Sequence, residues 1–422
     1  MIQVSHMKVA IIGGGAAGLM ASAALHEINQ QVKIFILEKN DALGKKIIIS
    51  GGGRCNLTTG LPGIKIVLSK YPRGGKFLSS AMRQFSPTDV FKWFEAHGIP
   101  LKIESDQRVF PKSNNGHDVV LVFEKIFKHS SIQTLINTKV LAVKKHTLGF
   151  ELTLDRDSQS LITDKLVLTT GGQAYRQTGS TGDGYAFAVS LGHSLTKLAP
   201  SLSALATHES WPKNISGLSI DKTKLTAKNK TNTNVTGPIL FTHHGISGPA
   251  VFALSSLVAF EKFSPKKPLT ILVDLFPDQS TSNLYDSLKK NITDNLKKDW
   301  LNVLSMLIPK SLAQIANQEL LLNSAKHAAE MSKQDLTKTS AWLKNIPLNI
   351  VGRSAGNEFV TAGGVNLKEI NPATMESKIC PGLYFAGEIL DIDGFTGGFN
   401  LQSSWATGHL AGASIAKLNL SK

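Results

Sequence analysis

Apolar and polar positions along the chain fall into blocks of distinct texture. Near the start an unbroken apolar run, Val9-Ala10-Ile11-Ile12, meets three glycines and then a stretch rich in Ala and Leu. A short apolar run bounded by turn residues predicts a buried strand, and the longer stretch after it predicts a helix. A second apolar run, Val32 to Leu37, predicts the next strand. Over residues 76–100, Phe77, Phe85, Phe91 and Trp93-Phe94 supply apolar faces at helical spacing. Strand-like runs follow at 134–143, 149–154 and 161–169, the last stopping at Thr170-Gly171-Gly172.

Beyond Pro200 the pattern becomes strands with turn residues between them, around 202–207, 218–227 and 269–275. From Asn283 to Lys344 it turns helical: Leu284, Leu288, Ile292 and Leu296 recur every four residues, and Leu301, Leu304 and Leu307 extend the apolar face. That stripe reads as core packing. Gly382 to Glu388 predicts a strand running into an acidic turn, and a helix of small residues is expected over 400–417, where Ala and Gly suit close packing. These blocks predict an α/β chain with a nucleotide domain in two pieces, 1–195 and 345–422. The pieces enclose the first part of a β-rich insert (196–282) and a helical subdomain with the return to the insert (283–344). No internal repeat or low-complexity segment interrupts the pattern.

The first block carries chemistry. Gly13-Gly14-Gly15-Ala16-Ala17-Gly18 has the G-x-G-x-x-G spacing of a dinucleotide-binding turn, with its strand before it and its helix after it. The first glycine permits the turn, the second lets a pyrophosphate reach the backbone, and the third lets helix and strand pack closely. The phosphates then meet free N–H groups at the positive end of a helix dipole. The second strand ends in Glu38-Lys39, about 20 residues on, where an acid engages a ribose hydroxyl.

Composition narrows the classes. The chain has 422 residues, 42% hydrophobic and 18% charged, which suits a folded enzyme rather than a disordered chain. Its two cysteines, Cys55 and Cys380, give no disulfide framework and point to a reducing cytoplasm. The uncharged stretch 9–25 is split by the glycine turn, so it reads as fold rather than signal peptide, and no other run is long enough to span a membrane. The formal charge of +15 changes the picture more. Residues 191–350 hold 18 Lys and no Arg against 11 acids, whereas 351–422 are close to neutral. That surplus favours an acidic partner such as nucleic acid, or else reflects a lysine-rich solubilising surface.

A flavin explains both ends of the chain better than a nicotinamide alone. Only one complete fingerprint is present; the run Gly179 to Gly184 has different spacing and no acid-terminated strand–helix–strand unit with it. At the far end Gly387-Glu388 and Asp391 can engage the ribityl or pyrophosphate region. A helix starting near Asn400, after Gly397-Gly398, would aim its N–H groups at the edge of the flavin that becomes negative on reduction.

These motifs resemble the BaiN/RdsA-type NAD(P)/FAD-dependent oxidoreductases, a family that includes aminoacetone-oxidase-like flavoproteins. The resemblance covers nearly the whole chain. It rests on Gly13–Gly18 with Glu38, on Ser50 to Thr58 with its Gly-Gly-Gly-Arg-Cys-Asn core, and on Thr169 to Gly172. Phe241 to Pro249, Val360 to Val365 with Gly363 and Gly364, and Gly382 to Asn400 complete it. It implies a glutathione-reductase-type FAD-binding Rossmann-like domain, interrupted by a β-rich domain and a small helical subdomain. One departure is Thr169, where alanine is commoner.

The expected FAD contacts therefore run from Gly13 to Gly18, through Glu38, Lys39, Lys45, Lys46, Gly52, Gly53, Arg54 and Asn56. They continue with Val140, Thr170, Gly171, Gly172, Gly363, Gly364, Gly387, Glu388, Asp391, Gly397, Gly398, Asn400 and Leu401. Arg54 reads equally as an electrostatic partner of the flavin or as a structural salt-bridge residue. Cys55 is a candidate acid if its pKa lies near working pH, or else a buried inert thiol. His243 or His244 is a second candidate acid or a substrate ligand, or else a histidine hydrogen-bonded in the core. No Cys-x-x-Cys and no metal-ligand spacing occurs.

The reaction expected is reduction of an activated carbon–carbon double bond by an FAD enzyme, with NAD(P)H as a transient donor. The resemblance implies enone reduction, small-amine oxidation, or reduction of a uridine in ribosomal RNA to dihydrouridine. The basic balance favours the RNA, whose uracil must leave its stack to react. The alternatives are an oxidase of small amines or amino acids, and a flavin-bearing RNA-binding or ribosome-assembly protein. The sequence expectation for partners is thus a small molecule or ribosomal RNA and no membrane, with the oligomeric state open.

Overall fold

The computed structural model of the chain describes residues 6–155, 160–323, 326–353 and 358–418. Two compact units emerge, residues 1–201 with 358–422, and residues 202–357. In the first unit, the apolar run forms the strand Lys8–Ile12, fully buried from Val9 to Ile12, and the helix Ala16–Ile28 follows directly. The strand is central in a five-stranded parallel sheet, ordered Leu383–Phe385, Lys165–Leu168, Lys8–Ile12, Lys33–Leu37, Ile132–Leu135. The inner strands, buried on both faces, read as near-continuous apolar runs, whereas the edge strand Ile132–Leu135 carries Gln133 and Thr134. Short antiparallel sheets flank this core, among them Val140–His146, Gly149–Leu154 and Ser160–Thr163.

The last helix, Phe399–Lys417, packs along the first. A Cβ on Gly408 would lie 2.4 Å from the Ala17 carbonyl, and one on Gly412 would lie 2.3 Å from that of Ala21. The small-residue pattern thus lets two backbones touch, and joins the two ends of the chain in one core.

Buried in that helix, His409 stacks on Phe85 with ring centroids 4.2 Å apart, and its Nδ1 has no hydrogen-bond partner. Burial pushes its pKa down to about 4, against a smaller upward pull from Asp89. Below about pH 6.5 the unfolded chain takes up a proton that the native state refuses, so stability present at neutral pH is lost toward pH 4. Urea unfolding at pH 7.5 and 4.5 is expected to show about 2.5 kcal/mol of this loss, absent from His409→Phe. Equal pH dependence in the two proteins would contradict the assignment.

The second unit is a closed six-stranded antiparallel barrel. Its order is Leu205–Thr207, Gly245–Ser247, Asn234–Thr242, Ser219–Ala227, Leu269–Asp274, Ile346–Arg353, the last strand pairing back with the first. Helices Thr281–Thr293, Trp300–Leu304, Lys310–Glu319 and Lys333–Lys344 share the barrel's core rather than forming one of their own. Lys344 is tied to Asp274 at 2.7 Å.

Several expected boundaries move, each for a physical reason. The insert ends at 357 rather than 344, because Ile346–Arg353 is the strand that closes the barrel. The run 134–143 divides, since Asn137 adopts a left-handed φ of 48° between the sheet strand and Val140–His146. The run 161–169 divides at Asp164, whose carboxylate accepts the Lys8 N–H at 2.6 Å. The helical block 76–100 divides at Ser86-Pro87, where Ser86 and Asp89 form a capping box for the helix Pro87–Ala96. Among the described residues no helix is long and apolar enough to cross a membrane.

Candidate flavin site

The glycine turn has the division of labour its spacing predicts. A Cβ on Gly13 would sit 2.6 Å from the Thr169 carbonyl, and one on Gly18 only 2.0 Å from that of Gly13. On Gly15 it would meet nothing within 4 Å, so that face of the turn is open. The helix Ala16–Ile28 begins there with no side-chain cap and no acid in its first turn, leaving its first N–H groups for an anion. Ala16 and Ala17 add no side chain that would crowd the approach. Glu38 is buried at the end of its strand and accepts from Gly14 N at 2.8 Å and from Asn40 N at 2.9 Å. Thr138 N donates to the Glu38 carbonyl at 2.9 Å, which brings the buried Val140 beside this strand end.

The C-terminal elements gather in the same unit. Glu388 receives Lys46 Nζ at 2.9 Å and the Thr361 N–H at 3.0 Å, while Thr361 Oγ1 accepts from Gln173 N at 2.7 Å. One carboxylate thereby links the Lys46 helix, the turn after Thr170-Gly171-Gly172, and the strand leading into Gly363-Gly364. Gly364 packs on the Ile389 and Leu390 carbonyls, and Asp391 N bonds Val365. Asn400 holds the loop before the last helix by a bond from Gly394 N and one to the Gly394 carbonyl, each 2.8 Å. That helix starts at Gly398 without a side-chain cap or an acid in its first turn, a second uncapped helix start with Leu401 in its first turn. Gly397 and Gly398 are pressed close, a Gly398 Cβ falling 2.2 Å from the Thr58 carbonyl. Asn56, with its amide turned to satisfy both partners, bridges Thr58 and Gly398 N.

Three buried polar atoms here have no hydrogen-bond partner: Thr170 Oγ1, the Tyr185 hydroxyl and Asp391 Oδ1. Burial raises the Asp391 carboxyl, with neighbouring Asp393 adding to the rise, and burial beside Glu388 and Asp391 raises the Tyr185 phenol. Orphaned groups of this kind call for a polar occupant. With the open face at Gly15 and two uncapped helix starts, they fit a flavin dinucleotide. Exposed Gly51, Gly52 and Gly53 run left-handed at φ 57°, 70° and 86°, a path only glycine follows cheaply, and nothing lies over Gly52 or Gly53.

Other expected residues are also paired within the chain. Lys39 bonds Asp183 and Thr181, each at 2.6 Å, and Lys45 pairs with Asp41 at 2.6 Å, so both pin loops. Arg54 pairs with Glu104 at 2.8 Å and lies 3.9 Å over the Phe110 ring, the structural salt bridge of its two readings. Cys55 is corrected as an acid: it is fully buried in the core, and burial pushes the thiol up to about 12. His243 and His244 are exposed on the turn between two barrel strands, so neither is a core histidine. Sequence reasoning passed over Asn40, Thr361, Asp183 and Tyr185. The Gly182-Asp183-Gly184 helix start was visible as a glycine run but not as the partner of Lys39.

A parallel sheet with a phosphate-binding glycine turn, answered by an acidic strand end and an uncapped helix start, defines a Rossmann-like FAD-dependent oxidoreductase. Residues 7–414 match the family described as HI0933-like protein Rossmann domain, and the chain belongs to that family. It is 29% identical over 412 residues to the 3-dehydro-bile acid delta(4,6)-reductase of Clostridium scindens, spanning 97% of this chain and 99% of that protein. It is 29% identical over 402 residues to the ribosomal RNA dihydrouridine synthase of Escherichia coli, spanning 94% and 95%. Among solved structures, an Escherichia coli quinol fumarate reductase FrdA variant shares the fold at a TM-score of 0.50 and 15% identity, over 98% of this chain and 70% of that one.

Proposed function

We propose that the protein reduces a carbon–carbon double bond conjugated to a carbonyl, and that its substrate is a uridine in large-subunit ribosomal RNA, converted to dihydrouridine. The observation that carries the reductase reading is the single nucleotide cradle joined within one unit to the Glu388–Asp391 turn and the start of the last helix. Gly13 to Gly18 and Glu38 hold the adenosine diphosphate half; Glu388, Asp391, Thr170 and Tyr185 satisfy the remaining polar groups. FAD, when bound, supplies the hydride. The helix starting at Gly398 stabilises negative charge through its free N–H groups. His243, exposed on its turn, serves as the acid that protonates the carbon next to the carbonyl, a duty the buried Cys55 cannot perform.

The names of two relatives support this chemistry, since each describes saturation of a conjugated double bond. Charge favours the RNA over a steroid: the chain carries +15, and lysines dominate its inserted segment. NAD(P)H is the proposed donor, docking transiently because the sequence carries one complete nucleotide-binding fingerprint, which the flavin occupies. The test is to delete the gene and map dihydrouridine in large-subunit ribosomal RNA. One missing dihydrouridine, restored by the intact gene, is expected; an unchanged map overturns the RNA substrate. Anaerobic titration of the purified protein with NADH and NADPH identifies the donor by bleaching.

A further inference from the structure

The barrel unit distributes its lysines unevenly between paired and unpaired sites. Lys222, Lys326 and Lys344 each have a carboxylate partner. Lys228, Lys230, Lys262, Lys266 and Lys267 are exposed, and among the described residues none has a carboxylate within ion-pair distance. These five come from two segments that the fold joins. Lys228 and Lys230 lie on the hairpin between Ser219–Ala227 and Asn234–Thr242; the other three lie between the helix Pro249–Leu257 and the strand Leu269–Asp274. Lys228 N bonds the Thr270 carbonyl at 2.8 Å, and Asn229 reaches Glu261 at 3.4 Å.

Both segments are braced. Asn229 Oδ1 accepts from Thr231 N at 3.2 Å and Thr233 N at 3.1 Å, fixing the hairpin tip. Arg353 donates to the carbonyls of Val258 at 2.8 Å and Ala259 at 3.1 Å, and lies 4.3 Å over the Phe263 ring. Like charges held together on a rigid frame, with Glu261 as the nearby acid, repel one another and cost stability unless an anion answers them. The strand Asn234–Thr242 puts about 26 Å of extended chain between the hairpin and the turn at its other end, so a single ligand that reaches along this face is a polymer.

We propose that this lysine crown is the docking surface for the phosphate backbone of the RNA, gripping the polymer rather than the base that reacts. The inference rests on the RNA reading above and adds where the polymer is gripped. It predicts that the crown governs affinity for RNA and leaves the flavin site alone.

The experiment compares K228Q/K230Q/K266Q/K267Q with K289Q/K290Q/K297Q/K298Q, which removes the same charge from exposed positions of the helical segment. Binding of a fluorescent, unmodified large-subunit ribosomal RNA transcript is followed by anisotropy across salt concentrations, with the flavin absorbance of each protein recorded. The crown variant is expected to lose about three from the slope of log K against log salt and to raise KM for RNA at least tenfold, with kcat and flavin content unchanged. The helical-segment variant is expected to behave as the parent. Equal losses in both variants, loss in neither, or a crown that prefers anionic phosphatidylserine vesicles to RNA would overturn the proposal. If the parent converts uridine but the crown variant keeps its salt slope, only the crown falls. If the parent neither binds nor modifies RNA, the substrate reading falls first.

Discussion

Gly15→Leu is expected to give a folded protein without colour, and Gly18→Leu a chain that does not fold. The two positions lie in one turn and differ in what surrounds them. A Cβ on Gly15 meets nothing within 4 Å, and its φ of −88° suits any residue, so the native fold accepts a side chain there. That side chain then fills the space where phosphates approach the first N–H groups of the helix. Flavin affinity should fall at least a hundredfold, about 2.7 kcal/mol, while the unfolding midpoint of the flavin-free protein changes by no more than a degree or two. At Gly18 the added carbon would lie 2.0 Å from the Gly13 carbonyl and 2.7 Å from Thr169 Oγ1. Backbone cannot yield without separating the first helix from its strand, and the cost exceeds about 4 kcal/mol. Absorbance at the flavin bands and circular dichroism of both variants decide the matter. A yellow Gly15→Leu protein would remove the cradle from the flavin site.

The first strand, turn and helix were legible because their signals are local. An apolar run, a glycine spacing and an acid some 20 residues later all act through neighbours in sequence. The capping box at Ser86 and Asp89 was equally local, and its Ser-Pro-x-Asp signature marks where the 76–100 block divides. Barrel closure was of another kind. The strand Ile346–Arg353 pairs with Leu269–Asp274 on one side and with Leu205–Thr207 on the other, and no pattern within eight residues announces partners that distant. The insert was therefore given too early an end.

Within the site, the same contrast holds. Glycines report backbone geometry directly, so the tight turn that the spacing of Gly13, Gly15 and Gly18 predicts forms between the first strand and helix. Charged residues report only that a partner exists. Lys39 and Lys45 read as cofactor contacts, and Arg54 as a flavin partner or a salt-bridge residue, because positive charge near a phosphate site is plausible chemistry; the structure shows each paired with a carboxylate of the chain. Cys55 fails for a related reason. A thiol's reactivity is set by its surroundings, and the Gly-Gly-Gly-Arg-Cys-Asn sequence does not disclose that this one faces the core. Asp391 is expected as an acid near the flavin; its unpartnered Oδ1 and upward-shifted pKa emerge only when the fold buries it, with Asp393 beside it adding to the rise.

Arg73→Met is expected to destabilise the protein by about 3–5 kcal/mol, and Arg73→Met with Asp393→Leu to recover most of that loss. Asp393 is fully buried, paired with the Arg73 guanidinium and accepting from Ser201 Oγ at 2.8 Å. Removing the cation leaves a fully buried carboxylate that has lost its paired charge, a far greater penalty than the pair's net worth. The pair also joins two segments that local sequence keeps apart. Arg73 and Asp393 form an isolated bridge between the loop before Leu78 and the loop that delivers Gly397 and Gly398 to the start of the last helix. Cutting that tie should loosen the helix start before the sheet melts. Flavin fluorescence should then rise, on heating the single variant, several degrees below the loss of ellipticity. In the double variant the two transitions should merge again. A single variant within 1 kcal/mol of the parent, or flavin release that coincides with global unfolding in both, would mean that the loop is positioned by Asn400 and its bonds to Gly394 alone.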